Sequence, residues 1–280
     1  MINEKDFFDS RQDFLGVNVA ISKNASQNYK RVKHVIDCLS IIQEKFRNFK
    51  INILLGDIFD HLVIVSGQED RNWIHKKYEG SSEIGPWAGF YVRGLKLIAL
   101  DINTFRKKRK VLKTLVHEIG HAIYNDYITS SQDDNDISSA NSYWKNISKK
   151  FNDLVEKSED WSIEEGEFED EFYDLLDQCP FSLGNELQDA YTQALKFAEP
   201  KRAGQYVLIN HMPTEYATTN DNEDFAETFA MFILDNDSLS QHHKNRIINT
   251  LTKSRVQGKT VMNAHKDLSL FKDYIKLILT

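Results

Sequence analysis

Thr114-Leu115-Val116-His117-Glu118-Ile119-Gly120-His121-Ala122-Ile123, TLVHEIGHAI, sets two histidines four positions apart with a glutamate directly after the first. On an α-helix, positions i and i+4 share a face one turn apart. His117 and His121 can therefore turn two imidazole nitrogens toward one ion at about 2.0–2.1 Å. Glu118 projects beside that ion, where its carboxylate can take a proton from a bound water. Leu115, Val116, Ile119, Ala122 and Ile123 mark the helix as buried, and polar side chains in such a helix need a reason. Gly120 needs one too, since glycine inside a helix costs about 1 kcal/mol against alanine; close approach of another segment is the expected cause. The plainer reading is a buried helix with two hydrogen-bonded histidines. The H-E-x-x-H pattern arises by chance in roughly 2% of chains of this composition, which favours a Zn2+ site, one ion per chain.

A hydrolytic zinc site takes three protein ligands and keeps the fourth position open. The short-range solution, HExxHxxGxxH, is absent: Tyr124 and Tyr127 fill the later positions. His211, His242, His243 and His265 are isolated in polar sequence and read as surface residues. Carboxylates are denser in Asn222-Glu223-Asp224-Phe225-Ala226-Glu227-Thr228-Phe229. Glu223 and Glu227 are i and i+4 on a helix whose other side holds Phe225, Phe229 and Phe232. One of the two acids can bind zinc, and the other can accept a hydrogen bond from a ligand histidine and fix its tautomer. An amphipathic helix with solvated acids is the bland alternative.

Around these motifs the chain alternates in character. Phe14 to Ile21 reads as a short strand, Tyr29 to Phe49 as a helix, and INILL (51–55) and HLVIVSG (61–67) as buried strands. Residues 68–88 read as a loop. Gly89 to Asp101 reads as a strand with Arg93-Gly94 a kink or turn, and a helix follows from about Lys107 to Tyr127. Beyond it, Ser142 to Lys157 and Glu186 to Ala198 have helical spacing, Glu199 to Asn222 is irregular, and helices are expected from near Asn222, near 238–253 and near 266–279. Strands mixed with helix first, then helices almost alone, predict an α+β protein in two lobes. The expected division is 1–128, ending in the HExxH helix, and 129–280, mainly helical, with an acidic insert at about 159–210.

The 280 residues carry a net charge of −7, with 41% hydrophobic and 11% aromatic content, so a packed interior is expected. The acidity is concentrated between Asp153 and Asp177, and the overall basicity of a nucleic-acid binder is absent. RKKRK (106–110) reads as a solvated face, and Trp73, Trp87, Trp144 and Trp161 as packing residues. Cys38 and Cys179 are far apart and read as two reduced thiols. No secretory signal peptide and no transmembrane run is visible. A soluble protein, cytoplasmic on synthesis, is expected, with export by a signal-independent route left open. The oligomeric state is not legible.

TLVHEIGHAI followed by Tyr216-Ala217-Thr218-Thr219-Asn220-Asp221-Asn222-Glu223-Asp224-Phe225-Ala226-Glu227-Thr228-Phe229 resembles the catalytic domain of anthrax lethal factor and the related Pro-Pro endopeptidases. The match covers roughly residues 88–128 and 214–235; the long spacing from His121 to Glu223 and the N-terminal hundred residues depart from it. The resemblance implies a two-lobed zincin-like fold, a small mixed sheet with the active-site helix packed on a mainly helical C-terminal lobe. It implies Glu223 as third zinc ligand beside His117 and His121, Glu118 as catalytic base, and Tyr216 as hydrogen-bond donor to the developing oxyanion. Glu227 would support the ligands. A protein or peptide substrate would lie extended along the strand near 89–101. The activity implied is zinc-dependent endopeptidase, with a secreted effector or toxin acting on host proteins as the leading role. The alternatives are an intracellular processing peptidase, a non-peptide zinc hydrolase and a catalytically inactive zincin used as a binding module.

Overall fold

The computed structural model describes residues 7–78, 87–125, 147, 149–159, 164–179, 181–253, 255–256 and 259–262. The chain is an α+β protein with a small mixed five-stranded sheet. It divides into two compact units, Met1–Ser130 with Ile248–Thr280, and Ser131–Ile247. None of the helices among the described residues is long and apolar enough to cross a membrane.

The first unit is built on the sheet, with strand order β1-β2-β3-β5-β4. β1 (Phe8–Phe14) and β2 (Val17–Ser22) form an antiparallel hairpin. Its turn is Leu15-Gly16, both at positive φ (55° and 78°), the backbone that a tight hairpin requires. The stretch Phe14 to Ile21 is thus the end of one strand, a turn and most of the next. β3 (His61–Val65) and β5 (Leu97–Asp101) lie parallel to β2 in the middle of the sheet. Their near-continuous burial suits apolar runs such as LVIV and LIAL, since parallel strands are covered on both faces. β4 (Gly89–Val92) turns through Arg93–Leu95 and runs antiparallel to β5 as the last strand of the sheet. Residues 89–101 are therefore two strands and a turn.

α1 (Tyr29–Asn48) is capped by Asn28, whose side chain accepts from Arg31 N. It buries Val32, Val35, Leu39, Ile42 and Phe46, at helical spacing. INILL is not a strand. Ile51 makes one isolated bridge to Met262, Ile53 is buried, and Leu55–Ile58 is a single helical turn. Burial without a ladder produced the apolar run. Residues 68–78 of the expected loop form α2 (Gln68–Tyr78), and 79–86 lie outside the described residues. α2 hid from its pattern because only Asp70, Ile74 and His75 are buried in it.

Two polar residues at the start of α2 tie off the sheet. Buried Asp70 accepts from Ser22 Oγ, from Asn24 Nδ2 at 2.7 Å and from Ser66 N at 2.9 Å. Arg71 pairs with buried Asp101, which also accepts from Gly67 N at 3.2 Å and Asn103 N at 2.9 Å. The carboxyl ends of β2, β3 and β5 are thereby held by satisfied buried carboxylates. Trp73 stacks on Phe7 at 3.9 Å and Trp87 packs edge-on to Phe90; Trp144 and Trp161 lie outside the described residues. α3 (Lys108–Ile123) follows β5. Of the basic run before and within its first turn, Arg106, Lys107, Arg109 and Lys110 are exposed, and Lys108 pairs with Asp37 at 3.4 Å.

The second unit is helical: α4 (Lys149–Glu159), α5 (Glu165–Gln178), α6 (Phe181–Ala194), α7 (Pro200–His211), α8 (Asp221–Leu234) and the greater part of α9 (Gln241–Lys253). α6 begins before the expected Glu186. The acidic segment forms α5, whose Phe168, Phe172, Leu175 and Leu176 enter a core with Phe151, Leu154, Tyr191 and Val207. α7 corrects the irregular stretch expected from Glu199. Pro200 stands in its first turn, where proline is tolerated because that N–H has no helical partner. Gly204 permits contact with α5, since a Cβ there would stand 2.4 Å from Phe168 Cε1. The polar loop from 130, the start of the helix expected from Ser142 and the helix near 266–279 lie outside the described residues.

Candidate metal centre

α3 is buried from Leu115 through Ile123. Its polar members are His117 at 9% exposure, Glu118 at 5% and His121 at 8%. The two imidazoles meet edge to face, with Nε2 of each 3.0 Å from the other. Two nitrogens bound tetrahedrally to one zinc stand about 3.3–3.4 Å apart. The observed pair is close to that separation, and both rings turn the same atom inward.

Glu118 is bounded by the edge strand. β4 begins at Gly89, where a Cβ would lie 2.7 Å from Thr114 Cγ2, 2.9 Å from Leu100 Cδ2 and 3.2 Å from Glu118 Cγ. Any other residue at 89 would press first on Thr114 and Leu100 and then on Glu118, so those side chains or β4 itself would have to shift. Nothing in the local residue pattern singles out this glycine.

In the second unit, Asn220 caps α8 by accepting from Glu223 N at 2.9 Å. This cap and the acids Asp221, Glu223 and Asp224 in the first turn complement the positive end of the helix. Glu223 is half-buried, and Glu227, one turn on, is 4% exposed. Tyr216 lies in the short 3-10 turn Glu215–Thr218 before α8 and is 55% exposed.

His117, His121 and Glu223 are the one group of three or more metal-ligating side chains found among the described residues that can hold an ion. One ligand atom of each lies within 4.8 Å of the others. Two imidazoles and a carboxylate suit a borderline metal such as zinc. The residues present therefore fit the ion.

The other histidines divide. His211 and His243 are not surface residues: their rings pack together, tilted by 34°, with centroids 5.1 Å apart, His211 also lies against Phe151, and His243 is 2% exposed. Burial, and secondarily the charge of Arg246, lowers the His211 pKa to about 4. His265 and the side chain of His242 lie outside the described residues.

No family profile matches the chain, and no solved structure matches it. A curated protein named "Oligoendopeptidase F homolog", from Mycoplasma genitalium, is similar: 32% identical over 96 residues, 34% of this chain and 15% of that protein. The chain thus matches less than a sixth of that relative's length, and the lethal-factor resemblance rests on the motif residues alone.

Proposed function

We propose that the chain is a zinc-dependent endopeptidase that hydrolyses a peptide bond in an extended protein or peptide. The observation that carries this reading is the His117, His121 and Glu223 group with Glu118 directly after its first member. The partial similarity to a protein named as an endopeptidase homolog supports the same reaction class. Delivery into a host cell as an effector or toxin rests on the motif resemblance, and the relative's name carries no such role.

His117, His121 and Glu223 would hold Zn2+, which when bound supplies Lewis acidity to a substrate carbonyl and to water. Glu118 accepts the proton from the attacking water and returns it to the leaving amine. Its low exposure keeps bulk water from competing for that proton. Tyr216, with its side chain largely in solvent, donates its phenolic hydrogen to the oxyanion. β4, as the last strand of the sheet, offers main-chain pairing to an extended peptide. Gly89 keeps the start of that strand in contact with Glu118. Glu227 accepts a hydrogen bond that orients a ligand imidazole.

The test is metal analysis and digestion of a peptide library and a set of non-peptide amides by wild type and Glu118→Gln. One zinc per chain in both proteins, with peptide cleavage by wild type alone, is expected. A wild-type protein without metal, or a Glu118→Gln protein that still cuts, overturns the reading.

A further inference from the structure

α8 is buried on nearly every side, with Phe225, Ala226, Phe229, Ala230, Phe232 and Ile233 all 0–1% exposed. Apolar packing alone specifies the rotation of such a helix weakly, because apolar side chains repack at modest cost. Glu223 and Asp224 are adjacent in its first turn. A slip of one position, about 100° and 1.5 Å, would bring Asp224 to the place of Glu223 and Thr228 to that of Glu227.

A buried polar knot distinguishes the two acids. Arg246 of α9 places Nη2 2.9 Å from Asp224 Oδ1, and the same nitrogen donates to Thr228 Oγ1 at 2.9 Å. Thr228 Oγ1 donates in turn to Asp224 Oδ1 at 3.1 Å. Asp224 and Thr228 are fully buried and Arg246 is 8% exposed. Asp224 and Thr228 form their own i, i+4 stripe, about 100° around the helix from Glu223 and Glu227. Buried ion pairs add little stability over apolar replacements, and setting register is their best-attested use.

We propose that Arg246 is a positioning residue. By gripping Asp224 and Thr228 it sets the rotation of α8, so that Glu223 is the carboxylate available to the metal and Glu227 the one behind it. This rests on the metallopeptidase reading for the role of Glu223, but the grip on α8 can be tested apart from it.

The experiment compares wild type, Glu223→Gln, Arg246→Lys and the triple variant Asp224→Leu/Thr228→Val/Arg246→Met, whose apolar side chains approximate the volumes they replace. Melting temperature, amide exchange along α8, Co2+ affinity by chelator competition and the visible band of the Co2+ form are measured on each full-length chain. The triple variant is expected to fold, to exchange faster along α8, to bind Co2+ at least tenfold more weakly and to show a shifted band. Arg246→Lys keeps the charge but shortens the side chain that carries the donor nitrogen to Asp224 and Thr228, and its affinity should fall between wild type and the triple variant. A folded triple variant with wild-type affinity and band overturns the proposal. If the triple variant fails to fold, a wild-type band in Arg246→Lys overturns it. If wild type takes up no Co2+, the metallopeptidase reading fails. The grip is then decided by α8 exchange, which overturns it if unchanged in the variants.

Discussion

Gly89 stands against Glu118: a methyl group built on the glycine would come within 3.2 Å of Glu118 Cγ and still closer to Thr114 Cγ2, at 2.7 Å. Gly89→Ala should therefore push β4 off α3 or turn Glu118 aside. The overpacking should cost about 1–3 kcal/mol of stability. Turnover should fall more than zinc content, measured as kcat/KM beside metal analysis. Thr114→Ser removes the nearest obstructing carbon, so adding it to Gly89→Ala should restore part of the activity; no recovery would place the damage elsewhere.

Tyr216→Phe removes one hydroxyl from a side chain that is 55% exposed, so the fold should not register the change. Losing one oxyanion donor typically costs about 2.7–4 kcal/mol in the transition state. The expected result is a fall in kcat of about 10²–10³-fold with KM and zinc content near wild type. A wild-type kcat would remove Tyr216 from the mechanism.

Acid should weaken the second unit through His211. Its folded pKa of about 4 lies below the ordinary imidazole value of about 6.5, because burial and Arg246 disfavour the charged ring. The unfolded chain therefore binds the extra proton first. Stability is complete above about pH 6.5 and declines as the pH falls toward 4, by up to about 3 kcal/mol. Urea midpoints followed by helical circular dichroism should drop across that window. His211→Gln should flatten the slope, and an unchanged slope would assign the acid sensitivity to other groups.

Both cysteines should resist thiol reagents while the chain is folded. Burial raises the Cys38 thiol to about 11 and the Cys179 thiol to about 12, so almost no thiolate exists near neutrality. Labelling by a maleimide should be slow in buffer and rapid in denaturant for both. Fast labelling of either native thiol would contradict its placement.

The sequence disclosed what periodicity records. α1, α3, α8 and β3 bury regular stripes or continuous runs, and they fall close to where spacing put them. It concealed elements whose local signals conflict with their environment. α2 carries mostly polar side chains because its main contribution is Asp70 and Arg71 at the strand ends. α7 contains Pro200 and Gly204, which read as breakers until Phe168 is seen to need the missing Cβ. INILL has the composition of a strand, but its neighbours supply burial and a single bridge instead of a ladder. At the candidate centre the motif exposed His117, Glu118 and His121 at once. The Arg246 contact with Asp224 was invisible because residues 22 positions apart carry no shared pattern.

The bridge from Ile51 to Met262, with Asn52 N donating to Val261 O at 2.9 Å, bears on how the protein emerges from the ribosome. The histidine-bearing helix leaves the exit tunnel long before the strand segment that closes on Ile51 has been translated. The second unit, contiguous in the chain, has all of its residues in hand while the first still waits for the segment that pairs with Ile51. A nascent chain of this design would therefore complete its first unit only once residues 261–262 have emerged, after the whole of the second unit.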